Sequence, residues 1–436
     1  MRFSFEHIGF LKSESGSLAE TIFPYISRLG AIAGTGEYIE PECSICLPSD
    51  VNILSAVSAV CKEKIKKPLK CVAVVGIGGS NLGTRAVYDA ILGYKDGSRD
   101  SNLPRMVFFD TNNEKVTRAN IDFILKNIES LEDLLVVIIS KSGSTLETIA
   151  QSEYLLRELG GRFRGIDERV VVITDEGSEL AIPAKERGMA VVSIPEKISG
   201  RYAVFSAVGL LPLMAAGFNV NEFLDGARDM RAKCLSMDPE DNPALKAAVF
   251  LSHWYGLGKN IHDSFYFNQE LESLGKWHRQ LLAESIGKSG KVGITPTVSV
   301  GSTDLHSVGQ LYLNGPKDKT TLFVISDPEN SLSVPKERVF PGIIPELAGK
   351  PFGAIMKAIF DGVKIVYQRS DVHFIEAALS GITEREIGAF MMWKMMETMY
   401  VAQFLKVDAF DQPAVESYKK EAVRILEEVG DGIKLN

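Results

Sequence analysis

The sequence predicts an α/β protein made of two doubly wound parallel-sheet units, with a helical arm before them and a helical tail after them. Three observations carry this expectation. Short runs rich in Val and Ile at 71–75, 106–109, 134–139, 170–173 and 190–194 alternate with segments long enough for helices. That is the pattern of buried parallel strands joined by crossover helices. From Asn242 onward a second alternation sets strand-like runs at 264–267, 292–300, 322–325 and 373–378 between helical patterns at 244–257, 271–282, 305–313 and 352–366. At 436 residues the chain has room for about two or three such units. The expected division is an arm over 1–45, a first α/β domain over 46–220, a second over 221–400 and a tail over 401–436.

A hydrophobic content of 45% and a charged content of 24% are ordinary for a globular protein. The net charge of −8 argues against nucleic acid or an anionic membrane surface as the main partner. Glu6 and His7 stand where the apolar core of a signal peptide would begin, and the longest apolar run, 207–218, is too short to span a bilayer and contains Pro212. An odd count of 5 cysteines suits a reducing compartment, so a cytoplasmic location is expected. Cys43 and Cys46 form a lone C-x-x-C, read as ordinary thiols because no second pair or histidine partner lies nearby.

Taken in order, the arm shows apolar patches around Leu18, Ile22, Tyr25 and Ile26, broken by Gly30, Gly34 and Gly36. The first strand exits into GIGGSNLG (76–83), followed by a helix with Leu82, Ala86, Val87, Ala90 and Ile91 on one face. Gly76, Gly78 and Gly79 let the backbone turn sharply and approach an anion, and Ser80 can cap the helix whose amides point at it. A dinucleotide is the competing ligand, with Asp110 ending the second strand as a ribose-binding acid. The G-x-G-x-x-G spacing, however, would put glycine at 81, where Asn81 stands.

The third strand exits into Ser140-Lys141-Ser142-Gly143-Ser144-Thr145. Hydroxyls and an ammonium crowded at a helix N-terminus form an array of donors for a phosphate monoester. An ordinary Ser/Thr-rich cap accounts for one or two of them. The spacing is not that of a P-loop, so a small phosphorylated metabolite is the natural ligand. Arg201 follows Ser199 and Gly200 and precedes a long apolar helix; it is either aimed at an anionic partner or tied into a domain-interface salt bridge.

In the second unit, Glu284 follows the 271–282 helix where Ser285, Gly287, Ser289 and Gly290 break the pattern, and His306 follows a Gly-Ser-Thr-Asp turn. Both fall at element ends, where a base and an acid for proton transfer can reach a ligand. The alternative is a solvated helix-end charge and a capping or core histidine. The 382–406 segment is a long helix whose Met391, Met392, Met395, Met396 and Met399 read as core filler. In the tail, Pro413 fits the first turn of a helix, and Gln412 and Lys419 lie two turns apart on one face.

In this order, GIGGSNLG, SKSGSTLET, SGRYAVFSAVGLLP, AESIGK, STDLHSVGQ and FDQPAVESYKK resemble the glucose-6-phosphate isomerase (phosphoglucose isomerase) family in its compact bacterial type, over roughly residues 70 to 425. The resemblance implies two sugar isomerase (SIS) domains and reversible aldose–ketose isomerisation of glucose 6-phosphate and fructose 6-phosphate. It implies that Glu284 moves the proton between C2 and C1 and that Arg201 stabilises the enediolate. His306 and Lys419 would open the sugar ring. Ser80, Ser140, Lys141, Ser142 and Thr145 would hold the phosphate, with Gly79 close by and Gln412 as a further contact. It also implies a glycolytic and gluconeogenic role, no cofactor and no metal, and a homodimer whose histidine reaches the neighbouring subunit's site. A sugar-phosphate-binding regulator of the same fold would need the phosphate loops but no base.

Overall fold

In the computed structural model, residues 1–9, 18–93, 103–328 and 331–430 are described. The 10–17 part of the arm and the 431–436 end of the tail lie outside the described residues. Strand β1 (Arg2–Ser4) and helices α1 (Phe23–Thr35) and α2 (Val51–Lys64) precede the first sheet. The first unit then runs β2 (Cys71–Val75), α3 (Leu82–Leu92), β3 (Arg105–Phe109), α4 (Glu114–Asn127), β4 (Leu134–Ile139), α5 (Leu146–Arg162), β5 (Val170–Thr174), α6 (Ala181–Glu186) and β6 (Ala190–Ser193). Helices α7 (Ala207–Ala215), α8 (Val220–Cys234) and α9 (Pro243–Gly256) lead to the second unit. That unit runs β7 (Ile261–Tyr266), α10 (Glu272–Ile286), β8 (Thr295–Val300), α11 (Gly309–Asn314), β9 (Lys319–Ser326), α12 (Phe352–Arg369) and β10 (Phe374–Leu379). Helices α13 (Glu384–Leu405) and α14 (Pro413–Gly430) close the chain.

All nine strand-like runs expected from the sequence are strands. The first sheet has the order β3-β2-β4-β5-β6 and is parallel throughout. The second has the order β1-β10-β9-β7-β8 and is parallel except for β1, which pairs antiparallel to β10 with Phe3 opposite Ala377. The sequence reading placed residues 2–4 in the helical arm. Three residues are too few to show a strand's alternation, and it is the open edge of β10 that makes them one.

Both sheets are buried on both faces, as crossover connections require. In β2, Val72 and Val74 face a central cluster, while Cys71, Ala73 and Val75 face a second cluster under α4 and α5. The central cluster also takes in Tyr266, Leu322, Val324 and Ile375 of the second sheet together with α7, α8 and α13. One helical layer therefore lies between the two sheets. Helix α13 is apolar nearly all round, which suits only a buried position, and its five methionines are fully buried. Each such side chain contributes roughly 1.5–3 kcal/mol of burial. Among the described residues no single helix is long and apolar enough to cross a membrane.

Candidate active site

Strand β2 has β3, its successor in sequence, on one side and β4 on the other. The connections leaving β2 and β4 therefore diverge and open a crevice at the carboxyl ends of the strands, where ligands bind in such sheets. The GIGGSNLG loop leaves β2 and the SKSGST loop leaves β4, so two donor-rich loops far apart in sequence become neighbours. The glycine at 79 is required by close packing. A Cβ there would lie 2.2 Å from the carbonyl carbon of Gly200 and 2.5 Å from the amide nitrogen of Arg201. The first loop is thereby seated against the 3₁₀ turn Gly200–Tyr202.

In the second loop, buried Ser140 shares a 3.0 Å hydrogen bond with Thr145, and the Ser144 amide donates to the Ser142 hydroxyl at 3.3 Å. Gly143 takes φ 74°, the left-handed conformation that turns the loop. Thr145 is the N-cap of α5, yet its hydroxyl makes no capping bond. Ser142 and Ser144 are exposed at this helix end, whose first amides have no intrahelical acceptor. Lys141 donates to the Glu196 carbonyl at 2.6 Å, joining the loop to the segment that leads to Arg201. The acid of the dinucleotide reading is engaged elsewhere: Asp110 accepts from Arg85 at 2.8 Å and from Asn81 at 3.3 Å.

The Arg201 side chain is 0% exposed and all three of its nitrogens donate. Nε donates to the Ser285 hydroxyl at 2.9 Å, and Nη2 donates to the carbonyls of Ala409 at 2.6 Å and Asp411 at 3.0 Å. Nη1 donates to Gln412 Oε1 at 2.8 Å and lies 3.4 Å from Glu284 Oε2. The ring of Tyr202 lies beside the guanidinium, and burial pushes its phenol up to about 12. A buried cation is tolerable only with such a set of acceptors. Both readings of Arg201 left open by the sequence are thus realised, a buried tie between segments and a guanidinium facing a carboxylate.

Glu284 lies in the last turn of α10, which is fixed by buried Trp277, Leu281 and Leu282 and by a 3.2 Å contact between His278 Nδ1 and the Ser264 hydroxyl of β7. One turn back, Gln280 donates Nε2 to Glu284 Oε1 at 3.1 Å, and a Cβ on Gly78 would come 3.0 Å from that same amide nitrogen. The carboxylate therefore has one oxygen toward the first loop and the other toward Arg201. Its side chain remains 27% exposed, so an edge is open to a ligand. The segment 409–412 crosses beside it. Lys288, just past the end of α10, donates to the Asp411 carbonyl and, at 2.7 Å, to its carboxylate.

Gly79, the Ser140–Thr145 loop with Lys141, Arg201, Glu284 and Gln412 thus belong to one network of contacts. Ser80 ends the 3₁₀ turn Gly78–Ser80 at the start of α3, beside it. His306 ends the 3₁₀ turn Thr303–His306 after the edge strand β8 and is exposed. Lys419 lies on α14, where it pairs with Glu416 at 2.8 Å. The contacts of Glu284 given above are with Arg201 and Gln280, so neither His306 nor Lys419 meets it within this chain. Sequence reasoning missed Gln280, Ser285, Lys288 and Tyr202. The i,i+4 spacing of Gln280 to Glu284 was a usable signal; the other contacts cross elements and left none.

A carboxylate with an open edge, a buried guanidinium beside it and a crevice of hydroxyls and helix amides can together take a proton from carbon, stabilise an oxyanion and anchor a phosphate. A family model described as phosphoglucose isomerase matches residues 52–308. A glucose-6-phosphate isomerase of Methanocaldococcus jannaschii is 33% identical over 357 residues, covering 82% of this chain and 84% of that protein. One from Clostridium perfringens is 30% identical over 430 residues, covering 97% of this chain and 94% of the other. Among solved structures, a glucose-6-phosphate isomerase from Chlamydia trachomatis superposes with a TM-score of 0.79 at 20% identity, over 98% of this chain and 88% of that one, a likeness of fold.

Proposed function

The chain belongs to the phosphoglucose isomerase family, and from that premise we propose that it interconverts glucose 6-phosphate and fructose 6-phosphate with Glu284 as the base. The observation that carries this reading is the open carboxylate edge of Glu284 set 3.4 Å from a wholly buried Arg201 guanidinium. The phosphate is held by Ser80, Ser140, Lys141, Ser142 and Thr145, with Gly79 allowing close backbone approach. This anchoring is uniform binding that orients the carbons.

Glu284 removes the proton from C2 of the open-chain aldose. The C–H electron pair forms the C1–C2 double bond, and O1 takes the negative charge beside Arg201. Glu284 then returns the proton to C1 while the hydroxyl proton leaves O2 and O1 is protonated, giving the ketose. Gln412 contacts the substrate from the 409–412 segment. His306 and Lys419 exchange protons with the ring oxygen and the anomeric hydroxyl when the ring opens. The same reading divides the chain near residues 45, 220 and 400, consistent with a first sheet within 46–220 and a second that, β1 apart, lies within 221–400.

The working form is a homodimer in which each His306 completes the other copy's site. Two features support this: His306 is exposed, and the excursion between β9 and α12 presents Leu332, Val339, Phe340, Ile343 and Ile344 to solvent, with Val339 at 87% exposure. An apolar surface of that kind is characteristic of an interface. A cytoplasmic place in glycolysis and gluconeogenesis completes the reading, and all 5 cysteines are free and buried, as suits a reducing compartment. The test is glucose 6-phosphate deuterated at C2, followed by NMR in ordinary water. Fructose 6-phosphate with part of the label lost to solvent is the expected product; absence of conversion overturns the reading.

A further inference from the structure

Helix α14 carries Lys419, yet among the described residues not one of its side chains is buried. Of its apolar positions, Tyr418, Val423, Ile425 and Leu426 are exposed, and Val415 and Ala422 are only half-buried. Packing along its length therefore does not set its direction within this chain. Its position depends on its root, residues 409–412, immediately before Pro413. Two cations grip that root. Arg201 Nη2 donates to the Ala409 and Asp411 carbonyls, and Lys288 donates to the same Asp411 carbonyl from the opposite segment.

The Asp411 carbonyl thus accepts from two cations, and only one of them, Arg201, also touches Glu284. We infer that Lys288 is a positioning residue: by fixing the Asp411 carbonyl it sets where Gln412 and α14, with Lys419, stand relative to Glu284. The side chain of Lys288 is 12% exposed, whereas that of Asp411 is 52% exposed. The carboxylate pair is half exposed and contributes little, whereas the Asp411 carbonyl is the acceptor that Lys288 shares with buried Arg201. The working contact is therefore with the backbone rather than the carboxylate. Lys288 follows directly on the helix that carries Glu284, so the base and the root of α14 are referenced to the same stretch of chain.

The inference rests on the isomerase reading for its catalytic consequence but not for its structural one. The full-length variants Lys288→Met, Lys288→Arg and Asp411→Asn are compared by hydrogen exchange over 406–420 and by steady-state kinetics. Exchange in α13 serves as the check that each variant is folded. In Lys288→Met, exchange over 406–420 is expected to rise by at least about tenfold, the order expected for a lost charge-assisted hydrogen bond. The value of kcat is expected to fall more than KM rises, because the ring-opening and orienting groups are displaced while the phosphate loops are untouched. Lys288→Arg restores most of both, and Asp411→Asn changes either by less than about threefold.

Unchanged exchange in Lys288→Met overturns the inference, whatever happens to kcat. So does Asp411→Asn proving as damaging as Lys288→Met. If Lys288→Met does not fold, Lys288→Arg and Asp411→Asn still decide the matter through their order of effect on exchange. A wild-type protein without isomerase activity would sink the functional reading alone, since the exchange comparison needs no turnover.

Discussion

Arg201 and Glu284 meet at 3.4 Å with one partner fully buried and the other 27% exposed. This asymmetry suits the chemistry. The cation is fixed by four other acceptors and does not follow the carboxylate, so the carboxylate can take and release a proton beside a constant positive charge.

Replacing Glu284 by Gln keeps the shape and removes the carboxylate proposed as the base. Turnover of glucose 6-phosphate is expected to fall by about 10²–10⁴-fold, the usual worth of a general base, while calorimetric affinity for the sugar phosphate changes little. A variant that still turned over at the native rate would assign the proton transfer to another group.

Arg201→Lys is not a conservative change at this site, because an ammonium cannot reproduce five donations directed at Ser285, Ala409, Asp411, Gln412 and Glu284. The buried Ala409 carbonyl would be left without its Arg201 donor, at a cost of about 1–3 kcal/mol. Chemical denaturation should show a lower midpoint, and kcat should drop together with kcat/KM.

Gly79→Ala places a methyl 2.2 Å from backbone, whereas Gly290 has nothing within 4 Å of its hypothetical Cβ. Alanine at 79 should destabilise the fold by about 1–3 kcal/mol or displace the phosphate loop and raise KM. Alanine at 290 should be close to neutral in both assays.

The fully buried His262 and His278 sit near Lys394, whose ammonium is paired with the equally buried Glu397. Burial, assisted by the Lys394 charge, holds both imidazoles well below the ordinary histidine value. With the folded-state pKa depressed, the unfolded chain binds more protons once the pH falls below about 6.5. Stability should be intact above that pH and decline below it by up to about 1.4 kcal/mol per pH unit for each imidazole. Urea titrations from pH 7.5 to 5 read the slope, and a His262→Gln, His278→Gln double variant should flatten it.

Val339→Asp with Phe340→Asp puts charge on the exposed excursion. On the proposed dimer reading, these changes should shift the sedimentation-equilibrium mass from that of two chains toward that of one and lower specific activity at low protein concentration. Folding of the protomer should be unaffected.

The α/β class, nine of the ten strands among the described residues and the loops that bound the crevice were legible because each announces itself locally: β-branched runs mark buried parallel strands, and glycine or hydroxyl clusters mark the turns that leave them. Glu284 and Arg201 were legible as residues at element ends. Their meeting was not, because it depends on a turn after β6 reaching the end of α10 in the other unit. Ser285 and Lys288 act through partners more than 80 and 120 positions away, and no periodicity encodes such a contact. Strand β1 was illegible for the opposite reason: it is short and borrows its conformation from the edge it joins.

The bonds from Arg201 to the Ala409 and Asp411 carbonyls span 208 and 210 positions. Every strand of both sheets precedes residue 409, so the sheets can be in place while the guanidinium has only Ser285 and Glu284 and still lacks the Ala409, Asp411 and Gln412 acceptors. A variant cut before Ala409 would keep both sheets and yet leave the buried Arg201 with only Ser285 and Glu284 out of its five partners. The contact thus makes the fixing of the guanidinium depend on the docking of residues 409–412, and copies cut before them are expected to be inactive and labile to proteolysis.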